Sequence, residues 1–432
     1  MLMMVLMLFN ALTLCGQRSY SSEDSIRIFG QLDLADEQDY RGALDSALTT
    51  ITRVMQDARK KNMARGLAFA QLKKADLLLK KSDYPEIEGL LAEGYLIGAS
   101  LKDSLIMGLS HTQRSQYNKT LGNYEPAISS LLKALECFSP THHELYIGIA
   151  YNDLAHIYSK ISDFEQSIDY GYRALKVFER IGDRKETANT LNNIAINYFK
   201  LNQKSNAIDL FKKALGIQEE IGDQKRIVST LGNLVVAYSG ISLDSAIAYQ
   251  EKALALVGKL GIKSAQAQSF SQTAVLYERK KEFQRSLDYF QRSLVLYEEI
   301  REASKMASQS IHCATQAMHL NDSLLAENYF DRAFRYAGET GDLGLWQNFH
   351  LARSGFYQHF NNFQRALWHY KESVVWKDSM LNERTGARIA ELGIQYETQK
   401  KELMLANSLE EQKRKESELQ LKNKELSIVR LL

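Results

Sequence analysis

The chain has 432 residues, a formal net charge of +2 and a charged fraction of 25%. That balance argues against a dominant role on nucleic acid or on an anionic membrane, because both need clustered Lys and Arg. Three prolines leave room for long helices, and 22 tyrosines and 11 methionines suit packing between helices rather than strands.

Residues 1–16, MLMMVLMLFNALTLCG, form an apolar run with no charge before Arg18, too short to span a bilayer. A hydrophobic core followed by small and polar residues is the pattern of a cleaved secretory signal and predicts export. A lipid anchor on Cys15 is the competing reading, favoured by Leu12 and opposed by Leu14. Residues 22–60 carry looser helical stripes, through Ile26, Phe29 and Leu32 and then Ala43, Ala47, Ile51 and Val54, and read as a degenerate N-terminal cap.

From residue 62 to residue 381 the sequence repeats itself. Its clearest unit runs from Thr190 to Gly222. Leu191, Ile194, Ala195 and Tyr198 fall at helical spacing, a polar turn follows at Asn202, Gln203 and Lys204, and Ala207, Phe211, Ala214 and Leu215 make a second apolar stripe. Sliding this unit along the chain finds a matching residue at Ala75, Ser115, Ala155, Ala195, Val235, Ala274, Ala314 and Ser354, a step of about 40 residues. Three residues later a ring recurs at Tyr158, Tyr198, Tyr238, Tyr277 and Tyr357. The second helix answers with Ala127, Ser167, Ala207, Ala246, Ser286, Ala326 and Ala366. Small residues in phase mark where two helices must approach closely.

This pattern resembles the tetratricopeptide repeat family in its variety of about 40 residues per unit. The resemblance implies an all-α, right-handed superhelical solenoid of about eight helix-turn-helix repeats over 62–381. Taken with the opening apolar run and the tail, it extends to the extracytoplasmic sensor region of tetratricopeptide signalling proteins of the Bacteroidetes type, in which a membrane helix and a kinase or DNA-binding output follow. That implies an exported, periplasmic or membrane-associated sensor or scaffold in signal transduction. No kinase sequence is present to carry the output here.

Catalytic patterns are missing: there is no glycine-rich phosphate loop, no HExxH and no GxSxG. The sequence is therefore read as a binder rather than an enzyme, with no cofactor and no metal. The family holds peptides in the groove lined by the first helix of each unit, commonly through side-chain amides. The matching segments, YNDLA, LNNIA and LGNLV, place Asn152, Asp153, Asn192, Asn193 and Asn233 there, with His156, Lys160 and Lys200 one or two turns further on. An asparagine amide donates and accepts at once, so a ladder of them can grip an extended backbone. The competing reading has the same asparagines bonding neighbouring helices.

Residues from Leu343 to Trp376 hold all three tryptophans, Trp346, Trp368 and Trp376. They read either as packing at the end of the array or as an aromatic ligand pocket, which would suit a surface glycan-capture protein of a sugar-uptake system. Residues 382–432 are rich in Glu, Lys, Gln and Leu and predict one long charged helix. Leu392, Tyr396, Leu403 and Ala406, then Leu405, Leu409, Leu419 and Leu426, give it a thin stripe with a register shift. It is either a coiled-coil segment for self-association or a partner helix, or a solvated helix held by Glu and Lys pairs.

Overall fold

The computed structural model describes residues 22–141 and 143–381. The expected signal at 1–16 and the long helix at 382–432 lie outside the described residues. Described residues form helices and turns only, as all-α repeats require.

The helices come in pairs. They are α1 (Ser22–Tyr40) with α2 (Leu44–Lys60), α3 (Ala64–Lys81) with α4 (Ile87–Leu101), α5 (Ser104–Thr120) with α6 (Tyr124–Phe138), and α7 (Glu144–Lys160) with α8 (Phe164–Ile181). Then follow α9 (Arg184–Lys200) with α10 (Lys204–Ile221), α11 (Gln224–Tyr238) with α12 (Leu243–Leu260), α13 (Lys263–Arg279) with α14 (Phe283–Ile300), and α15 (Ala303–His319) with α16 (Ser323–Gly338). The last pair is α17 (Leu343–His359) with α18, helical through 363–381. Odd-numbered helices open each repeat and even-numbered ones close it.

Punctuation explains the regular helix length. A residue with positive φ recurs about every 20 positions, at Asn62, Ser82, Lys102, Gly122, Ser162, Gly182, Asn202 and Gly222 and again at Lys281, Arg301, Asn321 and Asn361. Such a residue turns the chain out of the right-handed helix, so the next amides bond back to the last free carbonyls: the Gly182 N–H donates to Glu179 O (3.2 Å) and the Asp183 N–H to Phe178 O (2.9 Å). The following residue then starts a new helix. Asp103, Asp163, Asp183, Asp223, Asp322 and Asp342 each accept at least one first-turn amide on the side chain. One repeat departs from this scheme. Gly341 does not have positive φ, because α16 already ends at Gly338, where Thr340 Oγ1 caps Ala337 O at 3.0 Å.

Two compact units divide the chain after Ala253. Within each, the in-phase small residues are where the helices of a pair touch. Ala155, Ala195, Ala207, Ala214 and Ala174 are buried in the first unit, and Ala274, Ala314, Ala326 and Ala333 in the second. Where serine replaces alanine it donates to the facing backbone, as Ser167 Oγ does to Ala155 O (2.6 Å) and Ser286 Oγ to Ala274 O (2.9 Å). The recurring tyrosine packs one turn away. Tyr158 stacks on Tyr170, Tyr238 on Tyr249 and Tyr277 on Tyr289, each pair with centroids 5.4 Å apart. Arg173, Lys252 and Arg292 stand over Tyr170, Tyr249 and Tyr289, a cation and ring at i and i+3 on the closing helix.

Candidate functional site

Two adjoining polar cavities open along the first helices of three successive repeats in the first unit. Helical geometry puts Asn152, His156 and Lys160 on one face of α7, four residues apart, and Asn189, Asn193 and Asn197 likewise on α9. Between those helices lies a cavity of about 200 Å³, lined by Asn152, His156, Ser159, Lys160, Ser167, Thr190, Asn193, Asn197 and Lys200 among others. Further along, between α9 and α11, a cavity of about 230 Å³ is lined by Asn152, Glu186, Asn189, Asn192, Asn193, Gln218, Arg226, Ser229 and Thr230. Asn152 and Asn193 belong to both.

The walls are not satisfied from within. Asn152 Oδ1, Thr190 Oγ1 and Asn197 Oδ1 are buried, line the first cavity and have no hydrogen-bond partner among the described residues; Gln218 Oε1 is in the same condition in the second. A buried polar atom without a partner costs roughly 1–3 kcal/mol, so such a cluster suits an occupant that bonds it. The other half of the Asn197 amide is anchored. Asn197 Nδ2 donates to Ser167 Oγ (2.9 Å) and to Asn193 O (3.0 Å), which fixes the amide so that its oxygen faces the cavity.

The first cavity is electropositive at its mouth. Lys160 and Lys200 border it, and Lys200 is held by Ser159 Oγ (3.2 Å) and by the ring of Phe164 (5.0 Å). Burial first, then the ammonium groups of Lys119, Lys160 and Lys200, hold the His156 imidazole below its ordinary pKa. His156 is therefore neutral at pH 7. Deep beside it, burial pushes the Asp153 carboxyl up from the usual carboxylate range, with Lys119 opposing.

Sequence spacing pointed at eight groove residues, and the structure brings six to the cavities: Asn152, His156, Lys160, Asn193 and Lys200 at the first, Asn192 at the second. Asp153 and Asn233 do not line either. Asn233 Nδ2 donates to Asn192 Oδ1 (3.0 Å), which Thr230 Oγ1 also approaches at 3.3 Å, so this pair knits neighbouring repeats together. Asn192 and Asn233 thus bond neighbouring helices, while Asn152 and Asn193 line the cavities. Sequence reasoning missed Thr190, Asn197, Ser159 and Ser167. Asn197 was the findable one, since it lies one turn beyond Asn193 on the same face.

In the second unit Trp346 and Trp376 stack on each other with centroids 5.7 Å apart. Trp368 stands apart, against His350 (5.8 Å) and His369 (4.6 Å). Among the described residues no three His, Cys, Asp or Glu side chains group as a metal site would need. Burial pushes the Cys313 thiol up to about 12 and the Cys137 thiol upward as well, the reverse of an activated nucleophile. No described helix is long and apolar enough to cross a membrane.

Residues 146–220, which run from the first turn of α7 nearly to the end of α10, match the family model of the tetratricopeptide repeat. No curated protein sequence matches the chain. Among solved structures, the apo form of RapI is similar with a TM-score of 0.59 at 16% identity, covering 82% of this chain and 98% of that one. A signal transduction ATPase with numerous domains from Pyrococcus horikoshii, described with a tetratricopeptide repeat sensor, is similar with a TM-score of 0.57 at 17% identity, over 84% of this chain and 55% of that chain. At such identities the likeness is one of fold. The fold is a tetratricopeptide-like array of helical hairpins, as the sequence led one to expect.

Proposed function

We propose that the chain is a non-catalytic binder of an extended peptide or protein segment, seated along α7, α9 and α11. The observation that carries this reading is the row of buried, unpartnered acceptors at Asn152, Thr190 and Asn197, flanked by Lys160 and Lys200. An extended peptide offers the N–H groups those oxygens lack, repeated along its backbone, while a carboxylate side chain or terminus would pair with the lysines. The occupant we favour is therefore extended and acidic. A role as sensor or scaffold is supported by the similar array in the Pyrococcus protein, which that protein's description calls a sensor. Export is supported by the apolar run at 1–16, and output through 382–432 is part of the same proposal.

The test is a peptide array of matched acidic and neutral sequences, followed by affinity measurements on the best binder. Each charge-assisted hydrogen bond contributes about 1.5–3 kcal/mol, so Lys160→Glu with Lys200→Glu should weaken an acidic peptide at least tenfold. Asn233→Ala, which lies outside both cavities, should leave affinity within about twofold. Equal loss at both positions, or no array signal at all, would remove the site. Affinity for the acidic peptide should also rise as pH falls through the lowered His156 pKa, because the new cation adds to the lysines, and His156→Ala should flatten that rise.

A further inference from the structure

Another cavity of the first unit, of about 630 Å³, shares no residue with the two along α7, α9 and α11. Tyr95 of α4, Met107 and His111 of α5, Lys133 and Glu136 of α6, and Pro140 line it. One of its walls holds a polar group in an apolar register. His111 stands four residues before Ser115, where the repeats of Ala195 and Val235 bury Leu191 and Leu231. It is 8% exposed, and its Nδ1 has no hydrogen-bond partner among the described residues. Burial, then Arg114 and Lys133, hold the imidazole down to about 4, so the ring is neutral at pH 7. In either neutral tautomer Nδ1 lacks a neighbour, and a hydroxyl, which both donates and accepts, satisfies either one.

The repeat also lacks an aromatic ring that its neighbours have. In the register of Lys133 other closing helices set a cation over a tyrosine three residues earlier: Arg173 over Tyr170, Lys252 over Tyr249, Arg292 over Tyr289 and Arg332 over Tyr329. In the next repeat Tyr170 packs on Tyr151 as well, the counterpart of His111, with centroids 6.1 Å apart. In α6 the tyrosine position is Ser130, whose hydroxyl donates to Pro126 O (2.8 Å). His111 and Lys133 are thus the two residues left without that ring, and both border the cavity. Lys133 and Glu136 are exposed and form no ion pair with each other or with another described residue.

We infer that this cavity is a binding site for a free aromatic α-amino acid, whose ring stands in for the tyrosine that α6 lacks. The ring lies against Tyr95, Met107 and Pro140 and offers Lys133 the face that the other repeats supply from their own helix. Lys133 and Glu136 are one helical turn apart, a spacing that suits the carboxylate and the ammonium of one zwitterion. A simple acid would leave Glu136 beside its own charge, and a simple amine would do the same at Lys133. The hydroxyl of tyrosine supplies the hydrogen bond missing at His111 Nδ1, which sets tyrosine above phenylalanine.

Calorimetric titration of the full chain with L-tyrosine, L-phenylalanine, tyramine and 3-(4-hydroxyphenyl)propionate tests this. L-tyrosine is expected to bind with a Kd below about 1 mM, and tyramine and the propionate, each short of one charge, at least about fivefold more weakly. His111→Leu installs the residue that later repeats bury there; it should weaken tyrosine at least about fivefold and leave phenylalanine within about twofold. Lys133→Ala with Glu136→Ala, both on the exposed rim, should weaken the two amino acids alike. Cys137, which also lines the cavity, reports the location: saturating tyrosine should slow its alkylation, read by mass spectrometry on its own peptide. Failure of both amino acids to bind, unchanged affinity in the rim variant, equal binding of tyramine or the propionate, or alkylation of Cys137 at the same rate with tyrosine present would each overturn the inference.

Discussion

Gly108→Val is expected to be the most damaging single substitution in the first unit, lowering stability by about 3 kcal/mol or more. A Cβ at Gly108 would sit 2.2 Å from the Phe138 ring, and Phe138 is 1% exposed with no room to swing away. The same pairing recurs one repeat later, where a Cβ at Gly148 would meet the fully buried Phe178 at 2.7 Å. Removing a helical glycine would normally gain a few tenths of a kcal/mol to about 1 kcal/mol, so helix propensity and overpacking oppose each other here. Overpacking wins because the contact is below any real carbon separation and the ring is rigid. Two later repeats carry Ala188 with Gln218 and Ala307 with Ala337 in the same two registers, so neither sets an aromatic ring against the small residue. A second change, Phe138→Ala, should therefore recover part of the loss of Gly108→Val although each alone is harmful. Urea melts of the two single variants and the double variant measure that coupling. If the double variant is simply the sum of the singles, the two side chains do not compete for one space.

That pairing shows what the sequence could and could not convey. Alanines and serines 12 residues apart, as at Ala155 and Ser167, announce a close helix crossing because only small side chains permit one. The positions of the asparagines on the opening helices were equally readable, since residues four apart share a face. Periodicity does not say which amide is used up inside the fold. Asn192 and Asn233 occur in near-identical segments to Asn152 and Asn193, yet they bond each other across a repeat, because Asn192 Oδ1 lies within reach of both Asn233 and Thr230. Nor does it reveal that Asn197 is turned by Ser167, which depends on a contact 30 residues away. The complementary sizes of Gly108 and Phe138 belong to the same class of long-range information.

Acid should weaken the second unit through a single histidine that stands where other repeats use tyrosine. His369 stacks on Tyr357 at 5.4 Å, in the register that holds Tyr170, Tyr249, Tyr289 and Tyr329. Its Nδ1 faces Nδ1 of His350 at 3.0 Å, so one N–H serves both and a proton on each Nδ1 would set two donors against each other. Burial first, then His350, Arg353 and Arg365, holds His369 down at about 4 against an ordinary value of 6.5. Folding therefore favours the neutral ring. Its contribution is whole above pH 6.5, where the unfolded chain is neutral as well, and drains away as the unfolded histidine takes up a proton between pH 6.5 and about 4. Such a shift is worth at most about 3 kcal/mol, and solvent access to the pair reduces this to about 1–2 kcal/mol. His111 in the first unit, against Tyr95 at 5.0 Å and held down to about 4 mainly by burial, adds a loss of the same sign. His369→Tyr restores the stack without a group that titrates in this range, so its thermal midpoint should fall less than that of the parent between pH 7 and pH 4.5. Parallel curves for the two proteins would mean that the histidine pair carries none of the acid sensitivity.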